Sequence, residues 1–144
     1  MKDVLMTPEE RQDHFETWHA SIYVYLDELR AAVPAEVTLD YSLNSLKPLE
    51  AWLLDRYPDI DAARADMAGM INNAGAYIGE TIRKTAGRGT WRLDDDEESI
   101  FHGFPILVDF RDGDSCSPIT LASAATDRRR GDYLYSVASH LVSG

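Results

Sequence analysis

The stretch 61–87 constrains the fold most, because its apolar residues recur at the three-and-four spacing of one helix face. These residues are Met67, Met70, Ile71, Ala74, Tyr77, Ile78 and Ile82, and such a face must lie against a core. A second row, Ala62, Ala65, Gly69, Asn72, Ala76 and Gly79, is made almost wholly of small residues. Another backbone can approach it closely, so the helix is expected to be covered on two sides. Gly69, Gly75 and Gly79 each cost a helix interior about 1 kcal/mol relative to alanine, which implies packing that requires bare backbone. Gly75 and Gly79 also match the Gly-x-x-x-Gly spacing of membrane helices, but Asn72, Asn73, Glu80, Arg83 and Lys84 exclude a span. Asp59 or Asp61 is expected to cap this helix and Gly87 to end it.

Upstream, Thr7, Pro8 and Glu10 form a helix start: a capping threonine, a proline in the first turn, and a glutamate placed to complete a capping box. Phe15, Trp18, Ile22, Leu26, Leu29 and Val33 then make one apolar stripe, which predicts an amphipathic helix of about seven turns ending before Pro34. Residues 36–41 alternate and read as a short strand or extended connector. Ser42 or Ser45 can cap a second helix with Leu46, Leu49, Trp52 and Leu53 on its buried side, stopping at Tyr57 and Pro58.

Beyond Gly87 the period changes. Residues 90–94 alternate, with Trp91 and Leu93 facing inward; 105–110 hold the strongest strand, with Ile106, Leu107 and Val108 in a row. Asp112-Gly113 is a turn signal before a third strand at 119–121. A last helix is expected over 126–142, with Leu134, Val137, Ala138 and Leu141 inward. The expected fold is α+β: three N-terminal helices, a small antiparallel meander of about three strands, and one C-terminal helix.

A chain of 144 residues, 44% of them hydrophobic, matches one domain over 1–144 with a real core. No run is apolar enough for a membrane span, and residues 1–10 show no export pattern, so a cytoplasmic protein is expected. The single cysteine, Cys116, excludes an internal disulfide and a cysteine-based zinc cage. The net charge of −11 argues against nucleic acid, whose phosphates need a basic footprint, and favours a basic protein partner. The charge is uneven: residues 67–93 carry four basic side chains and one acidic one, whereas 94–114 carry eight acidic and one basic.

Two blocks then stand out. The first is Leu39-Asp40-Tyr41-Ser42 with Ser45-Leu46 and Leu49-Glu50-x-Trp52-Leu53; the second is Gly75-Ala76-Tyr77-Ile78-Gly79-Glu80, then Arg83 and Gly89-x-Trp91. Over about residues 38–93 they resemble a widespread group of small bacterial domains of unknown function, which carry a Tyr-x-Gly-Glu helix running into a Gly-x-Trp strand. The resemblance implies an α+β fold and a bacterial source, and it brings no activity and no catalytic residue.

Glu80 and Arg83, three apart, can pair. If the helix end packs on the following strand, Tyr77, Glu80, Arg83 and Trp91 could line a pocket for a polar ligand, or Glu80 and Arg83 could be a structural ion pair. Arg128, Arg129 and Arg130 fall at the expected start of the last helix, where the macrodipole disfavours cations. They call for an anion, either internal (residues 94–98, Asp112 or Asp114) or an external phosphate or acidic partner. His14 and His19 are five apart and off the helical metal-site spacing. The aspartates of 94–98 and 109–114, with His102, match no calcium loop. Cys116 could serve as a nucleophile only with His102 or His140 beside it. No catalytic residue, metal or cofactor is expected. The leading reading is a non-enzymatic protein-binding module of the immunity or accessory type; the rival is a small-molecule-binding domain or minor enzyme at Tyr77, Glu80, Arg83 and Trp91.

Overall fold

The structure, a computed structural model, describes residues 6–143; residues 1–5, part of the stretch read for an export signal, lie outside it. The described residues form seven α-helices and one three-stranded antiparallel sheet. In chain order these are α1 (Pro8–Ala20), α2 (Ile22–Ala32), a 3-10 turn (Leu43–Ser45), α3 (Leu46–Arg56), α4 (Ile60–Arg64), α5 (Met70–Ala86), β1 (Thr90–Leu93), β2 (Pro105–Val108), β3 (Ser115–Cys116), α6 (Pro118–Arg128) and α7 (Tyr133–Ser143). The α+β class stands, whereas the plan of three helices, meander and one helix does not, because long helical patterns are broken where local side chains compete with the ladder.

The first helix starts as expected: Thr7 accepts from the Glu10 amide, and Glu10 accepts from the Thr7 amide, closing the capping box. It does not run seven turns. At Ser21 the hydroxyl donates to the Thr17 carbonyl at 2.8 Å and the amide is shared between the Thr17 and Trp18 carbonyls, so α1 ends and α2 begins. Residues 36–41 form no strand but an extended connector, in which Tyr41 holds a left-handed φ of 64°.

The stretch 61–87 is two helices. Asp59 caps the short α4, accepting from the Ala62 amide at 2.9 Å. In the turn that follows, the Asp66 carboxylate accepts from the Tyr57 hydroxyl and from the Met70 amide, opening α5. Burial and then this bond to Asp66 push the Tyr57 phenol up to about 12. Gly69 is therefore not interior to a helix. It is needed because the Asp66 carboxylate fills the place its Cβ would take.

From Ile71 to Ile82 every residue of α5 is buried, so both rows of the pattern are covered along that stretch, whereas Ala65 upstream is exposed. Its principal neighbour is α6. A Cβ at Gly75 would come within 2.6 Å of the Ile119 backbone, which identifies the close crossing the small residues serve. Gly87, at φ 80°, ends α5 in the left-handed conformation that suits glycine.

In the sheet, Trp91 pairs with Leu107 and Arg92 with Ile106; Leu107 then pairs with Cys116. Trp91 and Leu93 are inward and buried, as the alternation requires. The third strand is not at 119–121. Ser117 and Pro118 start a helix there, and β3 is the two residues before it. The expected last helix is likewise split at 129–132, where Arg129 (φ 53°) and Gly131 (φ 88°) turn the chain between α6 and α7.

Candidate functional site

Tyr77, Glu80 and Arg83 follow one another along α5, and the structure separates the first from the others. The Tyr77 hydroxyl accepts from the Tyr41 amide at 2.9 Å and shares a hydrogen bond with Ser45 Oγ at 2.5 Å, and the two tyrosine rings stack with centroids 5.1 Å apart. Tyr77 is fully buried and anchors the 41–45 turn; it takes no part in the cleft. Glu80, Arg83 and Trp91 do come together. Arg83 donates to both oxygens of Glu80, from Nη2 to Oε1 at 2.9 Å and from Nε to Oε2 at 3.1 Å. The Trp91 indole donates to Oε2 at 2.8 Å.

Two glycines make this arrangement possible. At Gly79 a Cβ would intrude on the Trp91 ring, so glycine admits the indole against α5. At Gly89 a Cβ would stand 2.9 Å from Arg83 Cγ, so the turn before β1 can lie flat against the arginine stem. Beyond Trp91, Trp18 of α1 meets its ring edge to face at 5.0 Å and donates to Asn72 Oδ1 at 2.6 Å. Gly79, Glu80, Arg83, Gly89 and Trp91 are thus one interlock of helix and strand. It borders an open cleft of about 390 Å³ whose lining includes His19, Ile22, Gly89 and Thr90.

Burial works to raise the Glu80 carboxyl. The hydrogen bonds from Arg83 and Trp91, with the charges of Arg83 and Lys84, outweigh it and hold the pKa below the ordinary carboxylate value. Glu80 therefore stays ionised with both oxygens occupied from within the chain.

The arginine triplet ends α6 instead of starting a helix, and there the macrodipole favours positive charge. Arg129 collects carbonyls: Nη1 donates to Tyr57 and Thr126 oxygens at 2.8 and 3.1 Å, and Nη2 to Leu54 at 2.8 Å. Arg128 lies 6.0 Å from the Tyr133 ring centre, and Arg130 pairs with the adjacent Asp132 at 3.4 Å. None of the three contacts the aspartates of 94–98 or 112–114 among the described residues.

The acidic segments do converge. The sheet sets the 94–104 connection beside the 109–114 turn, and Asp94, Asp96, Asp109 and Asp114 border one cleft of about 410 Å³ on the outer face, over Ile106 and Val108. Asp94 is buried and organises its loop, accepting from the Asp96 amide at 3.1 Å and from Ser99 Oγ at 2.5 Å. Asp114 is taken by Arg111 at 2.6 Å and Asp112 by Arg88 at 2.6 Å. Asp96, Glu97, Glu98 and Asp109 have no ion-pair partner among the described residues. Ile100 stands 87% exposed on the same loop.

Cys116 is half-buried in β3, and burial pushes its thiol up to about 12, far from the thiolate a nucleophile needs. Among the described residues no three His, Cys, Asp or Glu side chains converge so as to hold a metal ion, and no helix is long and apolar enough to cross a membrane.

A third buried carboxylate, besides Glu80 and Asp94, carries no signal that the sequence analysis used. Glu50 of α3 is fully buried and accepts from the Gly131 and Leu134 amides, each at 2.7 Å, tying the start of α7 to the core. The signal was present: Leu46, Leu49, Glu50 and Leu53 share one helical stripe, so Glu50 sits on the apolar face.

Comparisons of the chain with family models, with curated proteins and with solved structures found no match.

Proposed function

We propose that this chain is a non-enzymatic protein-binding module, of the immunity or accessory type found among small bacterial domains, which engages a basic partner through the outer face of its sheet. One observation carries the reading: strand pairing brings Asp94, Asp96, Asp109 and Asp114 to a single cleft, which Arg92 also lines, and Asp96 and Asp109 have no ion-pair partner among the described residues. The unpaired carboxylates are available to steer a cationic surface into place. The apolar floor at Ile106 and Val108, with Ile100 exposed on the 94–104 connection, offers the desolvated contact that electrostatics alone does not supply.

The test is capture from lysate by the wild-type chain and by an Asp96→Lys/Asp109→Lys variant, at low and high salt. A stoichiometric basic protein held by the wild type at low salt, released at high salt and not held by the variant is the expected result. Equal retention by the two chains, or retention indifferent to salt, overturns the reading.

A further inference from the structure

We propose that the cleft between α1 and β1 is a second site, which binds the carboxylate or phosphate group of a small anion on Arg83. It is independent of the acidic face: Trp91 and Arg92 alternate on β1, so the cleft beside Trp91 and the acidic cleft beside Arg92 lie on opposite faces of the sheet.

The chemistry starts from Glu80, whose two oxygens accept three hydrogen bonds from Arg83 and Trp91. The carboxylate holds the guanidinium by its Nε and Nη2 side, leaving the Nη1 end free. Nη1 has no hydrogen-bond partner among the described residues, and the side chain is 38% exposed. That end of the fork, Nη1 with the second hydrogen of Nη2, matches two oxygens of a carboxylate or phosphate, and its orientation is already fixed before a ligand arrives.

The surroundings agree. His19 and Thr90 are among the residues that line the cleft, whose volume of about 390 Å³ suits a small organic anion. In a chain of net charge −11, Arg83 is the arginine on the lining of this cleft, and the acid beside it, Glu80, is already paired with it. Gly89 completes the site, since any side chain there would displace the arginine stem.

The experiment is an NMR titration of ¹⁵N-labelled protein with inorganic phosphate and, separately, with acetate, at ionic strength held constant by chloride. The Arg83 Nε–H and Trp91 indole N–H signals report on the cleft, because both hydrogens are bonded to Glu80. Saturable shifts at these two signals are expected from at least one anion, and the one that saturates at lower concentration names the group. Replacing Arg83 would also break the Glu80 pair, so the discriminating variant is His19→Glu, which sets a like charge on the α1 side of the cleft. With its Trp91 indole signal in the wild-type position, this variant should bind the anion at least about tenfold more weakly. Shifts that stay linear with both anions, or a His19→Glu chain that binds as the wild type does, overturn the proposal.

Discussion

At Glu80, burial and hydrogen bonding oppose each other, and the bonds win. Because the folded pKa lies below its unfolded value, the stabilisation is fully present above the unfolded value and is lost as pH falls through the folded one. Wild type should therefore exceed Glu80→Gln by about 1 kcal/mol at neutral pH, a charge-assisted bond discounted for the solvent reaching Arg83. Urea titrations run from neutral pH into the acid range should show that difference shrinking. Gly79 poses a second contest at residue scale. Alanine gains about 1 kcal/mol in helix propensity, but its methyl meets the Trp91 ring and stands 3.1 Å from Pro118. Overpacking of this kind costs about 1–3 kcal/mol, so Gly79→Ala should lower stability despite the better helix former, with a shifted Trp emission in the folded state.

Between elements, Glu50 does for α7 what Thr7 does for α1, but from another helix. Glu50→Ala leaves two amides near the start of α7 without their acceptor in a buried place, at a cost of about 2–3 kcal/mol. Glu50→Gln, which keeps one carbonyl acceptor, should fall between the two in urea midpoint. Elements whose signals are local were legible in the sequence: the Thr7–Glu10 capping box, the Gly87 stop, and the inward Trp91 and Leu93. The breaks were not. Ser21 and the Asp66–Gly69 turn interrupt helices without shifting the apolar row out of phase, so a periodicity taken over a long window runs through them. Ser117-Pro118 repeats the Thr7-Pro8 start signal, but Ile119 and Leu121 beside it read as strand. Gly131-Asp132, a stop followed by a start, lay behind three arginines that drew attention to charge. For the site, spacing brought Glu80 to Arg83 and the Gly-x-Trp strand to both. Tyr77 turns instead to Tyr41 and Ser45, partners more than thirty residues away that declare nothing locally.

At the scale of the whole molecule, a charge of −11 works against compactness, and the ion pairs among the described residues offset it only locally. Screening that repulsion should raise the melting temperature by a few degrees between low and physiological salt, measured by scanning calorimetry. The sheet is the smaller part of the fold, and its last strand is two residues long. Whether it opens alone or only with the helices can be timed through Cys116. Its thiol, held near 12 by burial, carries almost no thiolate at neutral pH while β3 stays on β2. A thiol-specific reagent should therefore react slowly while the strand is in place, and a faster labelling rate reports the strand coming away. If urea well below the unfolding midpoint already quickens labelling, the strand peels off by itself; if labelling tracks global unfolding, sheet and helices form one cooperative unit.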